Sequence, residues 1–122
     1  MLYLKRDFEI HRDHTGKSQS VTVSCKCYTD YVTKTVMKKE FFDSSEATVE
    51  AELADYDNMT LRGQTDIEWF VPEELSQTGT SETDVSKAIS SWWESFESYQ
   101  PIIDAEQQLL IEYAEFDGQV PA

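Results

Sequence analysis

Few side chains in this sequence have the types and spacing that catalysis requires. The one cluster that suggests metal binding or acid–base chemistry is His11, Asp13 and His14. These residues fall in the polar segment HRDHTGKSQS, whose Gly16 is typical of a hairpin loop. A metal site needs further ligands at suitable spacing, and none follows the cluster. We therefore interpret it as a solvated loop.

The two cysteines, Cys25 and Cys27, are separated by a single residue. In a strand, residues i and i+2 point to the same face, and a disulfide between them would be strained. Two thiols without further Cys or His at ligand spacing do not make a zinc site. We predict two small buried residues in a reducing compartment.

Motifs of the common enzyme classes are also missing. The chain has four glycines and no glycine-rich phosphate loop, nucleophile elbow, His-Glu-x-x-His or Cys-x-x-Cys. Asp55, Asp57 and Asn58 are calcium-type ligands, but the spacing, central Gly and closing Glu of an EF-hand are absent. Carboxylate pairs such as Glu73 and Glu74 are expected in so acidic a chain. We predict a protein that is not an enzyme, with no catalytic residue, metal or cofactor.

The distribution of charge is more informative than any motif. The whole chain has a net charge of −14, but residues 1–42 carry +3 and residues 43–122 carry −17. Arg62 and Lys87 are the only bases in the second part. A field of this sign favours basic partners and opposes direct binding to nucleic acid or to an anionic membrane.

Length and composition indicate a folded chain of one domain, residues 1–122, with a mildly basic β-rich part (1–42) and a strongly acidic mixed part (43–122). Hydrophobic content of 39% and aromatic content of 12% are too high for a disordered tail. No apolar run approaches the roughly 18 residues of a membrane span, and the N-terminal residues lack the pattern of a signal peptide. We expect a cytoplasmic protein, in the host cytoplasm if it is phage-encoded.

The first third of the chain predicts strands, because apolar and polar residues alternate. In residues 2–10 the apolar face is interrupted by Arg6, which favours an edge strand. Residues 21–27 give the clearest alternation, with both cysteines on the apolar face. Residues 31–42 are rich in β-branched side chains, and their lysines favour an exposed face or edge.

Residues 44–57 are ambiguous. Asp43 followed by Glu46 is a plausible helix start, and the segment is rich in Ala and Glu, which favour helices. Residues 47–53 also alternate perfectly, as in a strand. We predict a helix and keep the strand as the alternative.

The last part of the chain predicts one strand and two helices. Gly63 is expected to mark a turn, residues 65–71 a strand that ends at Pro72, and residues 73–83 a mobile loop. Two amphipathic helices follow, separated at Pro101, with Gly118 at the end of the second.

Trp92 and Trp93 are adjacent on the first of these helices and point about 100° apart. We predict that both pack in the core. The alternative is one partly exposed Trp that serves as an interface anchor.

The predicted fold is therefore α+β, with the order β-β-β-α-β-α-α. It has a small antiparallel sheet of three to four strands, with two to three helices packed on one face.

We expect the acidic surface to bind a basic, nucleic-acid-binding protein and to mimic nucleic acid. Carboxylates two residues apart on a strand repeat at roughly 7 Å, close to the phosphate repeat along one strand of a duplex. The candidate partner-binding residues are carboxylates on predicted exposed faces: Glu46, Glu50, Asp57, Asp66, Glu68, Glu73, Glu74, Glu94 and Glu97. The first three would share one face of the helix predicted from 44 to 57.

In size and charge the chain resembles phage-encoded inhibitors of host defence, such as anti-CRISPR and anti-restriction proteins. No stretch matches a particular family. Two alternatives remain open: an immunity protein or antitoxin that masks a basic nuclease toxin, or a phage or housekeeping assembly protein that is acidic only for solubility.

Overall fold

The structure is a computed structural model that describes residues 1–116. These residues form five antiparallel strands in two sheets, followed by two helices. The elements are β1 (Tyr3–Arg12), β2 (Ser18–Thr29), β3 (Thr33–Phe42), β4 (Ser45–Ala54), β5 (Thr60–Phe70), α1 (Glu82–Ser98) and α2 (Gln100–Glu112). The α+β class is confirmed, but the observed order is β-β-β-β-β-α-α, so the predicted order is wrong at its fourth element.

The main sheet has the strand order β1-β2-β5. β1 and β5 both run antiparallel to the central β2, with Phe8 opposite Val23 and Val23 opposite Ile67. β1 lies at the edge, as the interruption by Arg6 predicts. The central position of β2 agrees with its having the clearest alternation in the sequence.

The core lies between one face of this sheet and the two helices. The alternate residues of β2 from Val21 to Cys27 are fully buried, as are Trp92 and Phe96 of α1 and Ile102 of α2. Trp69 of β5 closes the cluster, with its ring 4.9 Å from that of Phe96. The helices therefore pack on one face of the sheet, as predicted, and the other face is left open.

Residues 45–54 form a strand, so the helix predicted for 44–57 is wrong. β4 pairs with β3 along its whole length, from Ser45 opposite Phe42 to Ala54 opposite Thr33. Asp43 is part of the tight turn between them, with a left-handed φ of 54°, and is not a helix cap. Pairing with β3 satisfies the backbone polar groups that the two strands turn towards each other, and this outweighs the helix propensity of Ala and Glu.

Gly63 lies inside β5, opposite Cys27, so the turn predicted there is also wrong. A Cβ at this position would come within 2.5 Å of the ring of Tyr113, just beyond the end of α2. The register of the β2–β5 pair shifts beside it, between Cys27 and Tyr28. Glycine is needed here because an aromatic ring packs directly on the strand backbone.

β3 and β4 form a separate two-stranded sheet, which we call the arm (residues 33–54). The chain passes from β2 to β3 through residues 30–32 and from β4 to β5 through residues 55–59. The arm therefore continues the β2–β5 pair beyond the end of the main sheet. Strands of ten residues give it a length of about 33 Å. We call the main sheet and its two helices the body.

Aromatic side chains surround the base of the arm. Tyr31 stacks on Tyr3 of β1 with 4.3 Å between ring centroids, and Tyr56 packs on Tyr28 at 4.9 Å. The backbone N–H of Asp55 donates to the carbonyl of Val32 at 2.8 Å. These contacts hold the two connecting segments together where they leave the body.

The two helices predicted at the end of the chain both form, and the residues at their first turns are typical of helix starts. The side chain of Ser81 caps α1 by accepting from the backbone N–H of Asp84, and Pro101 lies in the first turn of α2, where proline is tolerated. Trp92 is buried but Trp93 is 46% exposed, so the prediction that both pack in the core is wrong. Gly118 lies outside the described residues. Neither helix of residues 1–116 is long and apolar enough to cross a membrane.

Candidate protein-binding surfaces

The open face of the main sheet carries two rows of carboxylates. One row runs from Asp7 across Ser24 to Asp66, and the next from Glu9 across Thr22 to Glu68. Neighbouring carboxylates are about 7 Å apart along a strand and about 10 Å apart across the sheet, with small hydroxyl side chains between them. We call this surface the acidic face; its four carboxylates are Asp7, Glu9, Asp66 and Glu68.

The charge of Asp7 is compensated by two neighbouring lysines. Its carboxylate is 2.6 Å from Nζ of Lys26 and 3.2 Å from Nζ of Lys5. Partial burial tends to raise the pKa of Asp7, but the bonds from Lys26 and Lys5 outweigh it and hold the pKa below its usual value. Asp7 is therefore negatively charged at neutral pH but locally compensated.

The other three carboxylates of the acidic face are exposed. Glu9 and Glu68 form no ion pair within residues 1–116. Asp66 accepts from Nε2 of Gln64 at 2.9 Å, and this bond, assisted by the hydroxyl of Ser24, lowers its pKa. These three charges remain available to a partner. Glu9 belongs to the part of the chain with net positive charge, and the sequence analysis missed it for that reason.

One end of the acidic face is apolar. Phe70 follows Glu68 by two residues on the same side of β5 and is 71% exposed. Across the sheet, Nε2 of His11 forms a 2.7 Å hydrogen bond with Oγ1 of Thr22. Exposed aromatic rings are typical of protein–protein interfaces.

The residues of the cluster His11, Asp13 and His14 lie at the end of β1 and in the turn that follows it. Asp13 accepts bonds from the backbone N–H groups of Thr15 and Lys17, so its carboxylate shapes the turn between β1 and β2. His11 lies on β1 and bonds to Thr22, as described above. No group of three or more His, Cys, Asp or Glu within residues 1–116 is arranged to hold a metal ion.

The cysteines lie on the core side of β2, as predicted. Cys25 and Cys27 are fully buried. Burial raises the pKa of the Cys25 thiol to about 11, which keeps it protonated at neutral pH. A buried protonated thiol is a poor nucleophile, so its role is packing.

Arg6 lies on the helix-facing side of β1 and binds both helices. Its Nε and Nη2 donate to Glu106 of α2 at 3.1 and 2.6 Å, and its Nη1 donates to Glu97 of α1 at 3.0 Å. The bond to Glu106 further raises the pKa of Arg6. The guanidinium also lies over the ring of Trp93, 5.3 Å from its centroid. Glu97 and the exposed Trp93 therefore stabilise the body, and only the tertiary structure shows it.

The remaining candidate carboxylates on the body lie outside the acidic face. Glu73 forms an ion pair with Lys17 beside the short 3₁₀ turn Glu73–Leu75. Glu74 is exposed in the same turn, and Glu94 is exposed on α1. These residues surround the body without joining the acidic face.

The three carboxylates assigned to one helical face are not brought together. Glu46 and Glu50 share one face of β4 in the arm, where Glu46 pairs with Lys39 at 3.2 Å. Asp57 lies in the 3₁₀ turn Tyr56–Asn58, beyond the end of that strand. Of the nine candidates, only Asp66 and Glu68 lie on the acidic face.

The arm presents a second surface, which the sequence analysis missed because it predicted a helix there. The cross-strand register places Lys34 beside Leu53, Val36 beside Ala51, and Lys38 beside Val49. We call this side the apolar face of the arm; its members are Lys34, Val36, Lys38, Glu40, Phe42, Ser45, Ala47, Val49, Ala51 and Leu53. The opposite side carries Met37, Lys39 and Phe41 with Glu46, Glu50 and Glu52.

Both faces of the arm are open to solvent. Phe41 is 75% exposed, Met37 61%, Phe42 53% and Leu53 51%. The two phenylalanines lie next to the turn at the tip. An isolated two-stranded hairpin is only marginally stable in water, so apolar side chains on such an arm indicate a binding surface.

Comparison of the chain with protein-family models, with curated proteins and with solved structures gave no match. The acidic face and the arm are therefore the two surfaces from which a function can be inferred.

Proposed function

We propose that the protein is a non-catalytic inhibitor that binds a basic, nucleic-acid-binding protein through the acidic face and excludes nucleic acid from it. The observation that carries this proposal is the position of Glu9, Asp66 and Glu68 on one open side of the main sheet. A phage-encoded inhibitor of a host defence nuclease is the kind of protein that this activity would suit.

The geometry supports mimicry because the carboxylates are held by paired strands. Rows about 7 Å apart along the strands present negative charge at a spacing close to that of successive phosphates. The paired strands fix the backbone positions of these residues before binding, so little backbone freedom is lost when a partner docks. The net charge of −14 would also steer a basic partner towards the complex.

The test compares two variants that lose the same charge in different places. The first carries Glu9→Gln, Asp66→Asn and Glu68→Gln on the acidic face. The matched control carries Glu74→Gln, Glu82→Gln and Glu94→Gln, which are exposed and lie outside that face. Tagged forms of both variants and of the unmodified chain are used to capture proteins from the native host. Captured proteins are then titrated individually with the purified chain.

We expect a basic partner that binds the unmodified chain and the control but loses at least about tenfold in affinity for the acidic-face variant. Duplex DNA or RNA should displace the chain, and binding should weaken steeply between about 50 and 200 mM salt. Equal loss in both variants would mean that only net charge matters. An affinity that does not change with salt or with added nucleic acid would contradict mimicry. It would favour an immunity protein that masks another surface of its toxin.

A further inference from the structure

α2 has an exposed apolar strip that points away from the core. Leu109 is buried against the sheet, whereas Ile111, two residues later and about 200° around the helix, is 69% exposed. Leu110 beside it is 38% exposed. We call Leu110 and Ile111 the α2 strip. It is contiguous apolar surface that no element within residues 1–116 covers.

The charges beside the α2 strip are negative. Asp104 stands seven residues before Ile111 and therefore lies on the same side of α2. Glu115 follows the end of the helix, in the short 3₁₀ turn Ala114–Phe116. Asp104 accepts from Nε2 of Gln100 at 2.7 Å, and neither carboxylate forms an ion pair within the described residues. α2 contains no Lys or Arg. A partner for this strip should therefore be apolar with positive charges at its margin.

The apolar face of the arm has this character. Val36 lies between Lys34 and Lys38 on β3, and Leu53 and Val49 lie opposite these two lysines on β4. The long aliphatic stems of the lysines can extend over such apolar neighbours. Lys38 is partly compensated by Glu40 at 3.2 Å, while Lys34 forms no ion pair within residues 1–116. The face therefore carries a small net positive charge on a chain that is strongly negative elsewhere.

We propose that two copies of this chain form a dimer by exchanging arms, with the apolar face of each arm lying along the α2 strip of the other copy. Each copy carries both of the surfaces that meet. In each contact apolar side chains pack on apolar side chains, and Lys34 and Lys38 face Asp104 and Glu115. The positive charge of the arm therefore matches the negative charge beside the α2 strip of a second copy.

The dimensions of the two surfaces show that a single contact between an arm and a helix would be small. α2 is about 20 Å long and the arm about 10 Å wide, so one arm on one helix makes a small contact. That contact falls well below the roughly 800 Å² per partner of a standard stable interface. Reciprocal exchange makes the contact twice, which is still a small interface, so we expect a weak dimer with two-fold symmetry, the commonest symmetry of oligomers. The arm extends about 33 Å from the body, far enough to lie against another copy.

The first experiment measures the mass of the full chain in solution by sedimentation over a wide range of concentration. We expect twice the chain mass of 14.1 kDa at high concentration and dissociation on dilution. Ile111→Glu should weaken the dimer by at least about tenfold, because it places a carboxylate against the arm. Phe70→Ser, which removes an exposed aromatic ring from the acidic face, is the matched control and should leave the mass unchanged.

The second experiment distinguishes arm-to-helix exchange from arm-to-arm contact. One variant carries Lys34→Glu and Lys38→Glu, and the other carries Asp104→Lys and Glu115→Lys. Each alone places like charges across both contacts and should be monomeric. Mixed together they should form a heterodimer, because the acidic arm then meets the basic helix and the remaining arm and helix keep their original charges.

Circular dichroism establishes that each variant is folded before its mass is interpreted. A monomer at all concentrations would overturn the proposal, as would a dimer that survives Ile111→Glu or variants that do not combine on mixing. The proposal is independent of the inhibitor function. Loss of dimerisation leaves the acidic face intact, and the acidic-face variant should still dimerise.

Discussion

β2 in the body and β4 in the arm have almost the same sequence pattern and opposite surroundings. Both alternate apolar and polar residues over most of their length, at 21–27 in β2 and 46–53 in β4, and both pair antiparallel. In β2 the apolar side is fully buried from Val21 to Cys27, because two helices pack on it. In β4 the equivalent side is open, and Leu53 is 51% exposed. Alternation predicts that a strand forms, and it does not predict what covers the strand.

The comparison implies that side chains of similar size contribute very differently in the two regions. Trp92 is fully buried, its Nε1 donates to the carbonyl of Leu75 at 3.0 Å, and its ring contacts Trp69. We expect Trp92→Ala to lower the free energy of unfolding by about 3–5 kcal/mol, measured by urea denaturation.

Phe41→Ala in the arm is the matched variant, since the ring is 75% exposed. It should change the free energy of unfolding by less than about 0.5 kcal/mol. If the two variants cost the same, the division into a packed body and an open arm is wrong.

The next largest effect should come from Arg6, because it binds two helices from one strand. Arg6→Ala removes three hydrogen bonds and leaves Glu106, whose side chain is 16% exposed, without its partner. We expect a loss of about 2 kcal/mol in the free energy of unfolding.

Arg6→Lys keeps the charge but cannot make the paired bonds to Glu106, so its loss should be intermediate. Exposure of Trp93 gives an independent signal, since its fluorescence should change when the guanidinium leaves its ring. An unchanged emission spectrum in Arg6→Ala would show that this contact does not form in solution.

A smaller, pH-dependent contribution should come from Asp7. Its pKa lies below the usual value of 3.8 because the bonds from Lys26 and Lys5 outweigh the effect of burial. A carboxyl whose pKa falls on folding stabilises the protein above its unfolded pKa, and this stability is lost as the pH falls below that value.

We therefore expect the unmodified chain to lose more stability than Asp7→Asn when the pH is lowered from about 5 to 2. The difference should be at most about 1 kcal/mol, because Asp7 is partly exposed, and salt should reduce it. Urea midpoints measured across this pH range test the prediction. Parallel curves for the two proteins would show that the ion pairs with Lys26 and Lys5 contribute nothing.

The smallest effect on the body should come from removing the arm altogether. Val32 and Asp55 are already joined by a 2.8 Å backbone hydrogen bond, so residues 33–54 can be replaced by a short Asn-Gly turn. We expect the body to unfold cooperatively with a free energy within about 1 kcal/mol of the original. The shortened chain should also be monomeric. Loss of cooperative unfolding would mean that the arm stabilises the body.

The elements that can be predicted from the sequence are those with one clear local periodicity. Residues 21–27 and the two helices were predicted correctly because a single periodicity dominates each of them. Residues 44–57 were not, since Ala and Glu favour a helix while the alternation favours a strand. Pairing with β3 decided the outcome, and that is a non-local interaction. Gly63 was assigned to a turn because nothing in the local sequence indicates that Tyr113 packs on it.

The sequence by itself determined the charge, the α+β class, the edge position of β1 and the apolar sides of β2, α1 and α2, because these depend on composition and local periodicity. Only the tertiary structure decided which carboxylates share a surface. It placed Glu9, from the basic part of the chain, on the same face as Asp66 and Glu68, and it paired Glu97 with Arg6. Strand pairing brings distant residues together, and no spacing along a single chain contains that information.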